Sequence, residues 1–163
     1  MFQSHANYAL RKYLNPLWQR LSRSDIVKNL QDNARILIIF IDSRPTYLLR
    51  FCVLNSLLMT GFKYKSIVYT SNSSFDEMCA LFSDICDFVE IVNLDLFGVK
   101  KLDRNSYNAL LKRSDFWSAI PASSILLTQV DALLIEPLPD YFFQYDYHRI
   151  FSIPYKLFRN QGF

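Results

Sequence analysis

From Ala34 onward, short apolar runs alternate with longer segments whose apolar residues recur every three or four positions. "RILIIFID" (35–42) is an aliphatic run closed by a charge, the pattern of a buried strand emerging at the edge of a sheet. "SRPTYLLRFCVLNSLLMTG" (43–61) follows as a helix, with Pro45 tolerated in its first turn and Gly61 ending it. "KSIVYT" (65–70) predicts a second strand, and "SSFDEMCALFSDI" (73–85) a second helix opened by a capping box between Ser74 and Glu77. "FVEIVNL" (88–94) predicts a third strand. After the loop "DLFGVKKLDR", Tyr107, Leu110, Leu111 and Trp117 lie near one face of a helix that ends before Pro121. "SSILLTQVDALLI" (123–135) supplies the fourth strand. Strands and helices in this order predict an α/β fold, a mostly parallel sheet with flanking helices.

Both ends of the chain depart from the alternation. In residues 1–33, Leu10, Leu14, Leu17 and Leu21 recur at helical spacing beside Tyr13 and Trp18, which predicts an amphipathic helix bent near Pro16. Its other face carries Arg11, Lys12, Arg20, Arg23 and Lys28. Such a helix either packs on its own domain or rests on an anionic membrane surface as a peripheral contact. After Pro137 the chain is aromatic and punctuated by proline, and reads as loops and short strands over the sheet edge. An unfinished edge beside an aromatic tail favours self-association into a homo-oligomer.

Composition removes several classes. Eighteen basic residues against fifteen acidic ones leave a net charge of +3, too balanced for a nucleic-acid binder. Cys52, Cys79 and Cys86 have no C-x-x-C spacing, which argues against a disulfide framework or a zinc site and fits a reducing, cytoplasmic setting. The longest apolar run, Ile36–Ile41, is far short of the roughly 20 residues that cross a bilayer. The N-terminus lacks the apolar core and small-residue cleavage site of a secretory signal.

With glycine only at 61, 98 and 162, there is neither a G-x-G-x-x-G turn nor a P-loop. His5 and His148 lie near no nucleophile motif, so no catalytic residue is assigned and a hydrolase triad has no support. What remains is carboxylates at strand ends. In open α/β sheets the ligand crevice lies outside the carboxyl ends of the strands, where Asp42 and Asp131 are expected to emerge. They could hold a ribose hydroxyl or a divalent cation, and Arg44 could clamp phosphate. The alternatives are that Asp42 caps the next helix, that Arg44 simply pairs with Asp42, and that Asp131 pairs with a nearby arginine. Asp131 raises a question of its own, because an unpaired carboxylate inside an apolar strand is costly to desolvate. Phe116 and Trp117 read as core, and Tyr141, Phe142, Phe143, Tyr145 and Tyr147 as a buried lid or a stacking surface.

The segment "SYNALLKRSDFWSAIPASSILLTQVDALLIEPLPDYFFQYDY" resembles the core of a bacterial family of glycosyltransferases, long filed as a domain of unknown function. That family's pattern runs Y-N-x-L-L, F-W-x-x-I-P, an apolar strand ending Q-T-D, and Y-D-Y-I-G-A-P-W. "IDSRPTYLLRFCVLNSLLMTG" is similar to its first strand and helix, with an arginine after the strand and an asparagine within the helix. The resemblance implies a GT-A-like, Rossmann-like domain over 34–147 that binds a nucleotide sugar and transfers the sugar to a glycan or surface-polysaccharide acceptor. It further implies that Gln129 and Asp131 form the acidic-motif equivalent, that Arg44 is the family's arginine, and that Asp146 belongs to the Y-D-Y element. A divalent cation, Mn or Mg, would then rest on Asp131, since Gln129 stands where a D-x-D motif has its first aspartate. Residues 148–163 keep Pro154 and Tyr155 but lack G-A-P-W, and read as the start of an acceptor-side half cut short, so that the chain is expected to be catalytically incomplete. The location implied is the cytoplasm or the inner face of its membrane. The competing expectation is a non-catalytic α/β interaction module that keeps the scaffold without donor binding.

Overall fold

Strand β1 (Ile36–Ile41) is central, which is why its run of aliphatic residues carries no polar alternation. It pairs in parallel with β2 (Lys65–Thr70) on one side, Ile39 opposite Ile67, and with β4 (Ser124–Thr128) on the other, Ile38 opposite Leu126. Strand β3 (Val89–Asn93) pairs in parallel with β2, giving a four-stranded sheet in the order β3-β2-β1-β4. These elements belong to a computed structural model that describes residues 36–139 together with Tyr8, Lys12 and Tyr141. The segment 1–33, the Y-D-Y element with Asp146, and residues 148–163 therefore lie outside the described residues, Tyr8 and Lys12 apart.

Side chains of a strand alternate between its two faces, and a layer of helix covers each face here. Ile38, Phe40, Val68 and Leu126 pack with Leu49, Val53 and Leu57 of α1 (Tyr47–Met59) and with Met78 and Phe82 of α2 (Phe75–Phe82). Leu37, Ile39, Ile41, Ile67 and Tyr69 pack with Leu110 of α3 (Arg104–Leu111), Phe116 of α4 (Ser114–Ser118) and Ile120. The chain thus moves outward from β1 to β3 beneath one layer and returns across the other to set β4 beside β1. This is a Rossmann-like α/β fold.

Four expected boundaries shift, each for a local reason. Helix α1 starts at Tyr47, because Thr46 is its cap and accepts a hydrogen bond from the Leu49 amide at 3.3 Å; Pro45 precedes the helix. Its far end is as expected. The Gly61 amide donates to the Leu58 carbonyl (3.0 Å) and the Phe62 amide to that of Leu57 (2.8 Å), a left-handed termination that suits Gly61 at φ +64°. The second helix is only α2, flanked by 3-10 turns at Asn72–Ser74 and Ser83–Ile85, and Ser74 makes no side-chain cap. The capping box belongs instead to α3, where Asp103 accepts from the Asn105 and Ser106 amides and the Ser106 hydroxyl accepts from the Asp103 amide. The helix expected through Trp117 is two helices. The Trp117 indole donates to the Leu111 carbonyl at 2.8 Å, taking the acceptor that a continuous helix would offer to residue 115. Strand β4 stops at Thr128 rather than Ile135.

Arg50, buried in α1, ties the helical layer together. Its Nη1 donates to the Leu81 carbonyl (2.7 Å) and to Asp84 Oδ1 (2.9 Å), and its Nη2 to Asp84 Oδ2 (2.8 Å). Among the described residues no helix is long and apolar enough to cross a membrane. Replacing Asp84 by Ala leaves a buried guanidinium with one carbonyl partner. Unfolding in denaturant should show a loss of about 2 kcal/mol, reduced from the full cost of breaking a buried pair because Asp84 itself is half exposed.

Candidate functional site

At the carboxyl ends of β1 and β4, where the order of strands reverses, lies an open crevice of about 570 Å³. Asp42, Ser43, Arg44 and Leu48 line it from the β1 side, and Thr128, Gln129, Val130 and Asp131 from the β4 side. Leu102, Asp103, Arg104 and Tyr107 close it from α3 and the loop before it.

The β1 wall is an ion pair built into a tight loop. The Asp42 amide continues the ladder by donating to the Tyr69 carbonyl at 3.1 Å, so its side chain starts from a fixed point. Asp42 Oδ1 accepts from the Arg44 amide (2.8 Å) and Nε (3.0 Å), and Oδ2 accepts from Nη2 (2.8 Å). The carboxylate is 8% exposed and the guanidinium 70%, so a buried acid orients a solvent-facing base. The hydrogen bonds to Asp42, then its charge, raise the Arg44 pKa above the ordinary value; burial opposes the rise, and the charge of Asp131 adds to it last. Of the alternatives above, the pairing of Arg44 with Asp42 is present, and the cap of α1 is Thr46, not Asp42.

The β4 wall depends on α1. Beyond Thr128 the backbone finds its partners on that helix instead of on β1. The Cys52 thiol donates to the Val130 carbonyl (3.1 Å), the Asn55 amide nitrogen donates to the Leu134 carbonyl (3.1 Å), and Asn55 Oδ1 accepts from the Leu134 amide (2.9 Å). The Leu138 amide donates to the Met59 carbonyl at 2.9 Å. Cys52, Asn55 and Met59 share one face of α1, and Val130, Leu133, Leu134 and Leu138 bury their side chains along it. The second half of the apolar run is thus a strap on a helix. Between strand and strap the chain turns, with the Ala132 amide donating to the Gln129 carbonyl at 3.0 Å, and Asp131 is exposed on that turn. A carboxylate can interrupt the run because it never enters the sheet. No described residue hydrogen-bonds or ion-pairs with it.

The Gln129 amide donates to the Tyr107 hydroxyl at 3.1 Å and links the β4 wall to α3. The sequence pattern places Tyr107 on the apolar face of its helix and gives Arg104 no role, so neither is expected at the crevice. A signal existed: Arg104 is basic in the first turn of a helix, where the helix dipole disfavours a cation. Phe116 is core as expected, meeting the rings of Tyr69, Phe97 and Trp117 edge-on, and Trp117 is half-buried against that cluster. Asp146 and the aromatic positions from 142 onward lie outside the described residues; Tyr141 is exposed.

Both Asp42 oxygens are engaged by Arg44 and Asp103 caps α3, which leaves Asp131 as the uncommitted carboxylate of the crevice. Among the described residues no three His, Cys, Asp or Glu side chains cluster as a metal cage. The donor set fits a cation shared between one carboxylate and a ligand's phosphates, a common arrangement for magnesium. No family model, no curated protein and no solved structure matches the chain, so the motif resemblance stands on its residues alone.

Two outcomes test the strap. Asn55→Ala should speed hydrogen exchange at the Leu134 amide at least about tenfold, because the pair of bonds holding it is lost. Burial, with smaller contributions from Asp131 and Asp42, pushes the Cys52 thiol up to about 12. Its folded value lies above the unfolded one near 9.0, so its contribution to stability is complete below pH 9 and disappears as pH rises toward 12. The fall in the denaturation midpoint between pH 8 and pH 10.5 should be smaller in Cys52→Ala than in the parent chain.

Proposed function

We propose that the crevice is the donor site of a glycosyltransferase, which binds a nucleoside diphosphate sugar and passes the sugar to a glycan or surface-polysaccharide acceptor. One observation carries the reading: Arg44 and, far from it in sequence, Gln129 and Asp131 line a single crevice at the switch point of a parallel sheet. The volume suits a nucleotide, since small-molecule sites commonly measure about 300–1,000 Å³.

Each residue has a chemistry that fits this ligand. Arg44, held by Asp42, keeps Nη1 unused for a phosphate oxygen, and a guanidinium fork matches phosphate geometry. Asp131 would hold a divalent cation carried in by the phosphates, or a ribose hydroxyl. When bound, such a cation neutralises charge on the departing nucleoside diphosphate. Gln129 and Tyr107 offer hydrogen-bonding groups at the wall between β4 and α3. In this reading Asp42 is a positioning residue that acts through Arg44. Transfer takes place in the cytoplasm or at the inner face of its membrane, with residues 1–33 as the peripheral contact.

Calorimetric titration with UDP, GDP, CDP and dTDP, each with and without manganese, tests the proposal. Saturable binding of one nucleotide is expected, weakened at least about tenfold by Asp131→Ala in a chain whose thermal midpoint is unchanged. No binding to any of the four by the folded chain would favour a scaffold without donor chemistry.

A further inference from the structure

We propose that Arg104 is a second phosphate-binding residue of the crevice, taking the distal phosphate of a nucleoside diphosphate and making the site select diphosphates over monophosphates. The nucleoside part rests on the function proposed above; the phosphate part stands on the geometry of α3.

Four arginines lie among the described residues: Arg44, Arg50, Arg104 and Arg113. Arg44 is bonded to Asp42, Arg50 to Asp84 and Arg113 to Asp115. Arg104 has no hydrogen-bond or ion-pair partner among the described residues, and it lines the crevice. An exposed, unpaired arginine is commonplace by itself. Its setting is not.

Arg104 occupies the first position of α3, where the partial positive charge of the helix end works against a cation, so helix stability does not account for it. The amides of that turn are not the anion site either, because Asp103 Oδ1 already accepts from Asn105 and Ser106 at 2.9 Å each. The donor that α3 offers to a crevice ligand is therefore the Arg104 side chain. Tyr107 follows three residues later on the same helix face, lines the same crevice and is bonded to Gln129. That bond ties the arginine-bearing face of α3 to the β4 wall.

Charge points the same way. Asp42 and Arg44 neutralise each other, and the Asp103 carboxylate is engaged by the α3 amides. A monophosphate can be met by Arg44 alone. A diphosphate brings a further anionic group, and Arg104 supplies the second guanidinium from a different element.

Arg104→Gln and Arg104→Lys are titrated beside the parent chain with the four nucleoside diphosphates, with UMP, GMP, CMP and dTMP, and with inorganic pyrophosphate. Arg104→Gln should weaken diphosphate and pyrophosphate binding at least about tenfold and change the matching monophosphate less than about twofold, with Arg104→Lys between. Equal diphosphate affinity in parent and Arg104→Gln overturns this proposal and leaves the donor-site reading intact. Pyrophosphate binding that depends on Arg104, in a chain that binds no nucleotide, supports the phosphate site and removes the nucleoside. A folded parent that binds neither nucleotides nor pyrophosphate overturns both. Because Arg104 is exposed and without a partner among the described residues, its replacement should leave the thermal midpoint unchanged, which separates lost binding from lost fold.

Discussion

The crevice depends on the pair of hydrogen bonds between the Asn55 side chain and the Leu134 peptide. A side-chain amide presents one acceptor and donors in the geometry of another peptide, so Asn55 serves that residue as a neighbouring strand would. A buried peptide group must find a partner, and helix α1 provides one where β1 no longer can. The last pair between β1 and β4 is Phe40 with Thr128, beyond which β1 runs into the Asp42–Arg44 loop. Without Asn55, the apolar residues of the strap would still seek cover, but their register along the helix would rest on the Cys52–Val130 and Leu138–Met59 bonds at its two ends. Asp131, three residues upstream, takes its place on the crevice wall from that register.

Two of the three bidentate arginine–aspartate pairs among the described residues show how location decides use. In Arg50–Asp84 the guanidinium is buried and the acid exposed, and the base reaches a second acceptor at Leu81. The result is a tie between α1 and the turn after α2. In Asp42–Arg44 the burial is reversed, with the acid inside and the base outside. The same chemistry then yields an aimed cation at the mouth of a crevice. Desolvating an unpaired Asp42 would be costly, so the pair is self-sustaining and holds the Arg44 guanidinium in place.

Strand order and helix faces were legible because parallel sheets bury their strands on both sides and leave near-continuous apolar runs such as Ile36–Ile41. The same signal misled at Ile125–Ile135. An apolar run reports burial, not the partner it is buried against, and half of this one lies on α1. The bonds that Asn55 and Cys52 make follow only from the return of residues 130–134 to that face of the helix. The split between α3 and α4 follows from one indole hydrogen bond that no periodicity encodes. Asp42, Arg44, Gln129 and Asp131, expected near one another because they sit at strand ends or in motif positions, do line one crevice. Arg104 and Tyr107 reach the crevice from a helix on the opposite face, a meeting that only the fold creates.

All four strands point their carboxyl ends the same way, yet they do not leave the sheet alike. The exits of β2 and β3 are joined: the Asn93 side chain, at the end of β3, donates to Asn72 just past β2 at 2.7 Å, and the chain after β2 turns directly into α2. The exits of β1 and β4 stay open between them. After β1 the chain makes the Asp42–Arg44 loop before α1 begins at Tyr47; after β4 it turns at Gln129–Ala132 and returns to α1 at Cys52 and beyond. Among the described residues the hydrogen bond from Gln129 to Tyr107 bridges the gap from the other face. A parallel sheet wound in two directions from β1 creates such a gap by topology alone. The residues then decide what it can hold, and here they line it with two guanidinium groups, one uncommitted carboxylate and a tyrosine hydroxyl.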